Sequence, residues 1–213
     1  MDRLSINNQT KGEEIANAIS HGVGALLAII GTVVLILKSA QYGRPIDIVS
    51  SSVYGGSMIF LYLASTLYHA FTSYRVKRFF RLFDHCAIFF LILGSYAPVS
   101  LSLLGGMAGW VLFGWNILLT VIGVIVNSIS IKRFQTFSIV LYLLMGWSVV
   151  TVFHLLPPFP LAAWALMISG GLAYSLGIIF FALKKPRFMH FIWHLFVLAG
   201  SVLLYFLILL YVI

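Results

Sequence analysis

The chain reads as an all-α integral membrane protein, a bundle of seven transmembrane helices with its N-terminus in the cytoplasm and its C-terminus outside. Three observations predict this. Of 213 residues, 62% are apolar and 8% charged, against roughly 25% charged in a soluble domain. Seven apolar stretches approach the roughly 20 residues needed to cross a hydrocarbon core. Basic residues gather on alternate connectors, the bias that orients a chain in a membrane.

The first span is expected over about Gly22–Ala40, after a short polar cytoplasmic segment, residues 1–21, that carries Glu13 and Glu14. That segment has no apolar run close behind a basic start, so no cleaved signal peptide is expected. The second span covers about Ile48–Phe71, where Ser51 with Gly55 and Ser52 with Gly56 read as close-packing faces. The third, about His85–Leu104, contains Pro98, which removes an N–H and should kink it. The fourth and fifth cover about Trp110–Ile131 and Phe137–Leu156. The sixth, about Leu161–Leu183, places Ser169, Ala173 and Gly177 on one face, and the seventh is about Met189–Val212.

The connectors are short: Gln41–Asp47, Thr72–Phe83, Gly105–Gly109, Lys132–Thr136, Pro157–Pro160 and Lys184–Arg187. Neighbouring helices must then be antiparallel, forming one domain over residues 1–213 without a linker. One side of the bundle carries Arg3, Lys11, Arg75, Lys77, Arg78, Arg81, Lys132, Arg133, Lys184, Lys185 and Arg187, and the other only Lys38 and Arg44. The net charge of +8 therefore speaks for topology and anionic lipid rather than nucleic acid. Cys86 is the single cysteine, which excludes an intramolecular disulfide and a CxxC metal site.

Ionisable groups inside a span cost about 2.5–3.5 kcal/mol at mid-helix, so each needs a reason. His190 and His194, four residues apart, leave the same face of the seventh helix. They lie three and seven residues after Arg187, or roughly 4.5 and 10 Å into the span. His69 lies six residues before Arg75 at the cytoplasmic end of the second helix, roughly 9 Å in. Asp84 lies three residues after Arg81 at the start of the third, and Ser65 is one turn from His69. Residues from three helices thus converge on one layer of the inner leaflet. The chemistry this suggests is zinc held by His69, His190 and His194 with a fourth position open to water, as in catalytic sites. Asp84 would act on that water as a general base or outer-sphere partner, and Ser65 would orient the water or a ligand. A structural metal, or single histidines bonding nearby carbonyls, are the plainer readings. Ligand type alone leaves nickel, iron and copper open.

The other histidines fit less directly. His21 follows Asn17 and Glu13 at one-turn intervals, so that this face either roofs the metal layer or is a polar juxtamembrane turn. His85 is expected to point about 100° away from Asp84, toward backbone or headgroup. His154, at the outer end of the fifth span, belongs to no cytoplasmic cluster and is a control for the depth argument. The later helices are rich in aromatic and aliphatic residues, so a central cavity would suit an acyl chain. Trp147, Phe153, Trp164 and Trp193 fit either its walls or the membrane interface.

Ser65-Thr-Leu-Tyr-His69, Asp84, His190-Phe-Ile-Trp-His194 and the opening Glu14-Ile-Ala-Asn17-Ala-Ile-Ser-His21-Gly resemble the signature of the hemolysin III family. That family is the bacterial branch of the progestin and adipoQ receptors, in a superfamily that includes alkaline ceramidases. The resemblance covers essentially the whole chain. It implies a zinc ion on His69, His190 and His194, with Asp84 and Ser65 near its water, in a multi-pass protein of the bacterial plasma membrane. In the receptor and ceramidase relatives such a site is associated with hydrolysis of a lipid amide to a free fatty acid. The bacterial branch carries a hemolysin label and a proposed role in membrane homeostasis. This chain lacks the receptors' long N-terminal region and extended C-terminal tail, and its outer loops are short. Membrane lipids, including an acyl chain in the cavity, are therefore the expected partners, not nucleic acid or an extracellular protein. The functions in competition are a zinc-dependent hydrolase of lipid amides or esters, a non-enzymatic lipid or metal sensor, and a pore-forming cytolysin. The last fits poorly with helices that are almost uniformly apolar.

Overall fold

The computed structural model describes residues 9–183 and 185–213. The order is α1 (Lys11–Tyr42), α2 (Pro45–Ala70), α3 (Tyr74–Ala97), α4 (Gly106–Ser130), α5 (Gln135–Gly146), α6 (Leu161–Ala182) and α7 (Met189–Tyr211). Wider π-helical turns, Pro98–Leu104, extend α3, and a 3-10 segment, Ser148–Leu155, extends α5. All seven units are long and apolar enough to cross a membrane. Among the described residues there is no strand.

Three boundaries depart from expectation, each for a physical reason. The first helix starts at Lys11, not near Gly22, so residues 11–21 are not an external polar segment. Thr10 and Glu13 form a reciprocal capping box that satisfies the free N–H groups of its first turn. Its polar face, with Glu13, Asn17, Ser20 and His21, is buried in the bundle. The expected connector Thr72–Phe83 is mostly helix, since α3 starts at Tyr74 and buries Lys77. Asp84 therefore lies about three turns into that helix rather than opening it. The fifth span changes from α to 3-10 geometry at Trp147. Pro98, expected to kink the third span, stands where its hydrogen bonding widens. Gly105, at φ 61°, closes those turns by donating its N–H to Ser100 O at 2.9 Å.

The close-packing faces are partly as expected. Any side chain at Gly55 would run into Thr32, and Ser51 Oγ meets Ser39 Oγ at 2.8 Å, which seats α2 on α1. Gly56 has open space beside it and Ser52 is exposed, so that second pair is no helix interface. On α6 the exposed Ser169 makes no close approach; Gly170 and Gly177 do, against Leu204 and against Trp193 and Phe196 of α7.

A first core, which includes Tyr54, Leu61, Tyr62, Trp193 and Val197, joins α1, α2, α3 and α7. A second, of Phe89, Leu119, Leu141, Tyr142 and Met145, joins α3, α4 and α5. Outward-facing Leu26, Ile30, Leu37, Leu118, Ile125 and Leu210 are exposed, which water would penalise and lipid favours. A cavity of about 410 Å³ lies between α3, α5, α6 and α7. It runs from the histidine layer, at the end where α1, α3 and α7 start, to Phe153, Leu156 and Leu204 at the far end. Trp147, Phe153, Trp164 and Trp193 all line it.

Candidate metal centre

His69, near the end of α2, and His190 and His194, in the first two turns of α7, meet as the sequence predicts. Each offers one ligand atom within 4.8 Å of the other two. Their rings pack at centroid separations of 5.2 Å for His69 and His190, 5.1 Å for His69 and His194, and 4.7 Å for His190 and His194.

Hydrogen bonds on the rear nitrogens of His69 and His194 fix what those two rings present. His69 Nδ1 lies 2.7 Å from Glu14 Oε2, so the Nδ1–H donates to the carboxylate and Nε2 keeps a free lone pair. The Asn17 amide nitrogen, 3.5 Å from the same Nδ1, meets a donor there and is a packing contact. Glu14 is held in turn by Lys77 Nζ at 2.8 Å, and Lys77 also donates to Tyr68 O at 3.0 Å and lies over the Tyr68 ring. Ser20 gives its hydroxyl hydrogen to Asn17 O, so His194 Nδ1–H donates to Ser20 Oγ at 3.2 Å and Asn17 O at 3.3 Å. His194 Nε2 is then the acceptor. Carboxylate or carbonyl support behind an imidazole is the arrangement that raises ligand basicity and fixes ring orientation in metal sites.

The front of the cluster is unsatisfied. His69 Nε2 and His190 Nε2 are buried without a hydrogen-bond partner. An unpaired buried polar atom costs about 1–3 kcal/mol. Three imidazoles that face one another, two of them with supported rear nitrogens, fit a divalent metal, and the donor type suits zinc, copper, iron or nickel.

The first helix contributes most of what the sequence reading missed. Glu14 and Ser20 brace the histidines, Lys77 braces Glu14, and Glu13 Oε1 accepts the N–H of Phe188 at 2.8 Å. The Glu13 carboxylate thereby sits at the N-terminus of α7, where the helix dipole favours it. Of the two readings of His21, the roof is the one found: it is 3% exposed and stacks on His194 with ring centroids 3.6 Å apart and planes 7° from parallel.

Asp84 is buried and lines the cavity together with His21, His190 and His194. His85 corrects the expectation that it turns away. Its Nδ1 lies 3.3 Å from Asp84 Oδ2, and it lines the same cavity. Adjacent side chains on a helix diverge at the backbone, but the imidazole is long enough to fold back toward the carboxylate. Ser65 is fully buried one turn before His69, and its hydroxyl has no partner. His154 is exposed at the opposite end, as expected of the control.

Comparison with known proteins gives the family. Residues 9–205 match the family model described as haemolysin-III related. The chain is 39% identical to Hemolysin-3 of Bacillus cereus over 212 residues, covering 99% of this chain and 97% of that protein. It is 43% identical to the Hemolysin-3 homolog of Bacillus subtilis (strain 168) over 202 residues, covering 93% and 94%. It is 30% identical to the human monocyte to macrophage differentiation factor over 207 residues, covering 91% and 82%. With seven membrane-length helices and relatives matched over nearly their whole length, the chain is a multi-pass membrane protein of the bacterial plasma membrane and belongs to the haemolysin III family.

Proposed function

We propose that the protein is a zinc-dependent hydrolase of a lipid amide or ester, acting from the cytoplasmic leaflet, with the substrate's acyl chain in the cavity. The observation that carries this reading is the junction of two features. The three histidines stand at one end of an apolar cavity, and the buried carboxylate of Asp84 lines that same end. The basic residues Arg75, Lys77, Arg78 and Arg81 flank it and favour a cytoplasmic position for the site.

His69, His190 and His194 would hold the zinc, which would supply Lewis acidity and lower the pKa of a bound water to about 7. Asp84 accepts the proton of the attacking water on a carboxylate oxygen and returns it to the leaving nitrogen or oxygen. The water oxygen bonds to the acyl carbon as the C–N or C–O bond breaks, which gives a fatty acid and an amine or alcohol. Ser65, behind His69, serves as a positioning hydroxyl. The cavity walls, including Ile88, Ile92, Trp193 and Val197, hold the acyl chain and exclude bulk water.

Purified protein is expected to contain about one zinc per chain and to release fatty acid from a panel of amide and ester lipids. Asp84→Asn should keep the zinc and lose about 10²- to 10⁴-fold in turnover. Metal-free wild-type protein overturns the whole reading. Zinc and bound fatty acid without release from any lipid would leave a lipid sensor instead.

A further inference from the structure

About 10 Å deeper than the metal layer, the cavity wall carries a second polar station. Ser201 lies seven residues beyond His194 on α7, and Tyr62 seven residues before His69 on α2, each about two turns or roughly 10 Å along its helix. Tyr62 donates its O–H to Ser201 Oγ at 2.7 Å, and Tyr174 of α6 meets the same Oγ at 2.8 Å. Tyr54 donates separately to the Ser201 carbonyl at 3.2 Å. Three helices thus bring two tyrosine hydroxyls onto one serine oxygen, beside a cavity whose other hydroxyls, on Ser95, Tyr96, Tyr142 and Ser175, already donate to backbone carbonyls.

Counting protons exposes a surplus. Tyr62, Ser201 and Tyr174 own three O–H hydrogens but share two hydrogen bonds. Tyr62 uses one. If Tyr174 gives its hydrogen to Ser201, the serine hydrogen is left over in a pocket that is 2% exposed, at the desolvation cost of an unpaired donor. If Ser201 donates to Tyr174, the surplus hydrogen sits on the tyrosine. Tyr174 is half-buried and is the one member of this triad that lines the cavity. The second arrangement is therefore favoured, and it offers a single O–H donor toward an apolar space.

We infer that Tyr174 forms a binding subsite for an oxygen carried part-way along the lipid chain, so that the cavity selects an acyl chain bearing a hydroxyl or carbonyl about 10 Å from the group held at the metal layer. The inference rests on the acyl-chain reading above and deepens it. A plain chain leaves the Tyr174 hydrogen unpaired or facing a trapped water. A mid-chain oxygen accepts it directly.

The test uses the full-length chain in lipid nanodiscs, titrated with stearic acid and with 10-hydroxystearic acid. Wild type is expected to bind the hydroxylated acid about three- to tenfold more tightly, the range of one net hydrogen bond. Tyr174→Phe should bring the ratio to about one while keeping the wild-type metal content. Tyr54→Phe, whose hydroxyl bonds the Ser201 carbonyl outside this proton count, should keep the preference. Equal binding of the two acids by wild type means that water alone serves the tyrosine and overturns the subsite, as does a preference that survives Tyr174→Phe. Should neither acid bind, the acyl-chain reading falls together with the subsite. The wild-type ratio decides even where a variant does not fold.

Discussion

Two buried polar clusters cap opposite ends of the bundle, and they differ in how far their polar atoms are satisfied. At the end away from the histidines, Arg44 donates to Asp47 through its backbone N–H at 2.7 Å and through its guanidinium at 3.0 and 3.2 Å, and it reaches Ser102 O at 2.5 Å. Ser50 and Ser102 share a hydroxyl hydrogen bond at 2.6 Å, and Lys38 donates to Leu209 O. At the histidine end, His69 Nε2, His190 Nε2, both ring nitrogens of His21, the Ser65 hydroxyl and Asn17 Oδ1 have no partner. At about 1–3 kcal/mol each, such groups together rival the 5–15 kcal/mol by which a typical protein is stable. A cluster that closes on itself is a strut joining α2 to the turns after α3. A cluster braced behind and open in front is arranged around something else.

The sharpest way to break this contrast is to remove a front ligand. His194→Ala is expected to lower bound zinc from about one per chain to less than about a tenth, measured by elemental analysis of purified protein. The variant should also lose the stability that ligand binding supplies, about 2.7 kcal/mol where free metal stands at a hundredfold its dissociation constant. Wild-type protein stripped by a chelator should lose the same increment, visible as a lower unfolding temperature that added zinc restores. Full zinc content in His194→Ala would mean that the metal lies elsewhere.

The next effect is smaller because it acts through another residue. Glu14→Gln keeps the size of the side chain but replaces a charged acceptor of the His69 N–H with a neutral one, and it removes the anion that Lys77 pairs with. Loss of such support behind a ligand typically costs 10- to 100-fold in metal affinity. Competition with a chelator of known affinity should show that loss while the fully loaded variant remains folded. An unchanged affinity would reduce the Glu14–Lys77 pair to a tether for α1.

The three clustered histidines were legible in the sequence and their supports were not, and the reason is physical. His69, His190 and His194 interrupt apolar runs, where an ionisable group needs a cause, and their distance from flanking basic residues sets their depth. Glu14, Ser20 and Lys77 lie in stretches that average polar, so hydropathy assigns them to water. Their burial comes from pairing across α1, α2, α3 and α7, which an average along one stretch cannot register. A helical signal was nevertheless present, in the Thr10 and Glu13 capping pair and in Glu13, Asn17 and His21 at one-turn spacing. His85 was misplaced for a different reason: helical angle describes where a side chain leaves the backbone, not where a long imidazole ends. The cavity walls were foreseeable only as composition, because packing of α5 and α6 decides whether Trp147 and Trp164 face lipid or the interior.

At the satisfied end, Asp47→Ala should leave zinc content unchanged. Its cost should be about 1–2 kcal/mol in unfolding free energy, the size of a lost helix-start carboxylate with a partly exposed arginine partner. Denaturant titration in detergent measures it. Loss of zinc in this variant would show the two ends to be coupled, against the independence that their separate hydrogen-bond sets imply.

The smallest expected effect is also the strictest check on depth. His154 is a histidine in the same chain, but it is exposed at the far end of the bundle, beside Phe153 at the end of the 3-10 turns. His154→Ala should leave zinc content at the wild-type value and change stability by less than about 0.5 kcal/mol, as for a surface substitution. Elemental analysis of the purified variant beside wild type and His194→Ala compares histidines that differ in layer. A fall in zinc for His154→Ala would place a metal away from the three-histidine cluster. The position of an imidazole along the membrane normal would then no longer identify a ligand in this bundle.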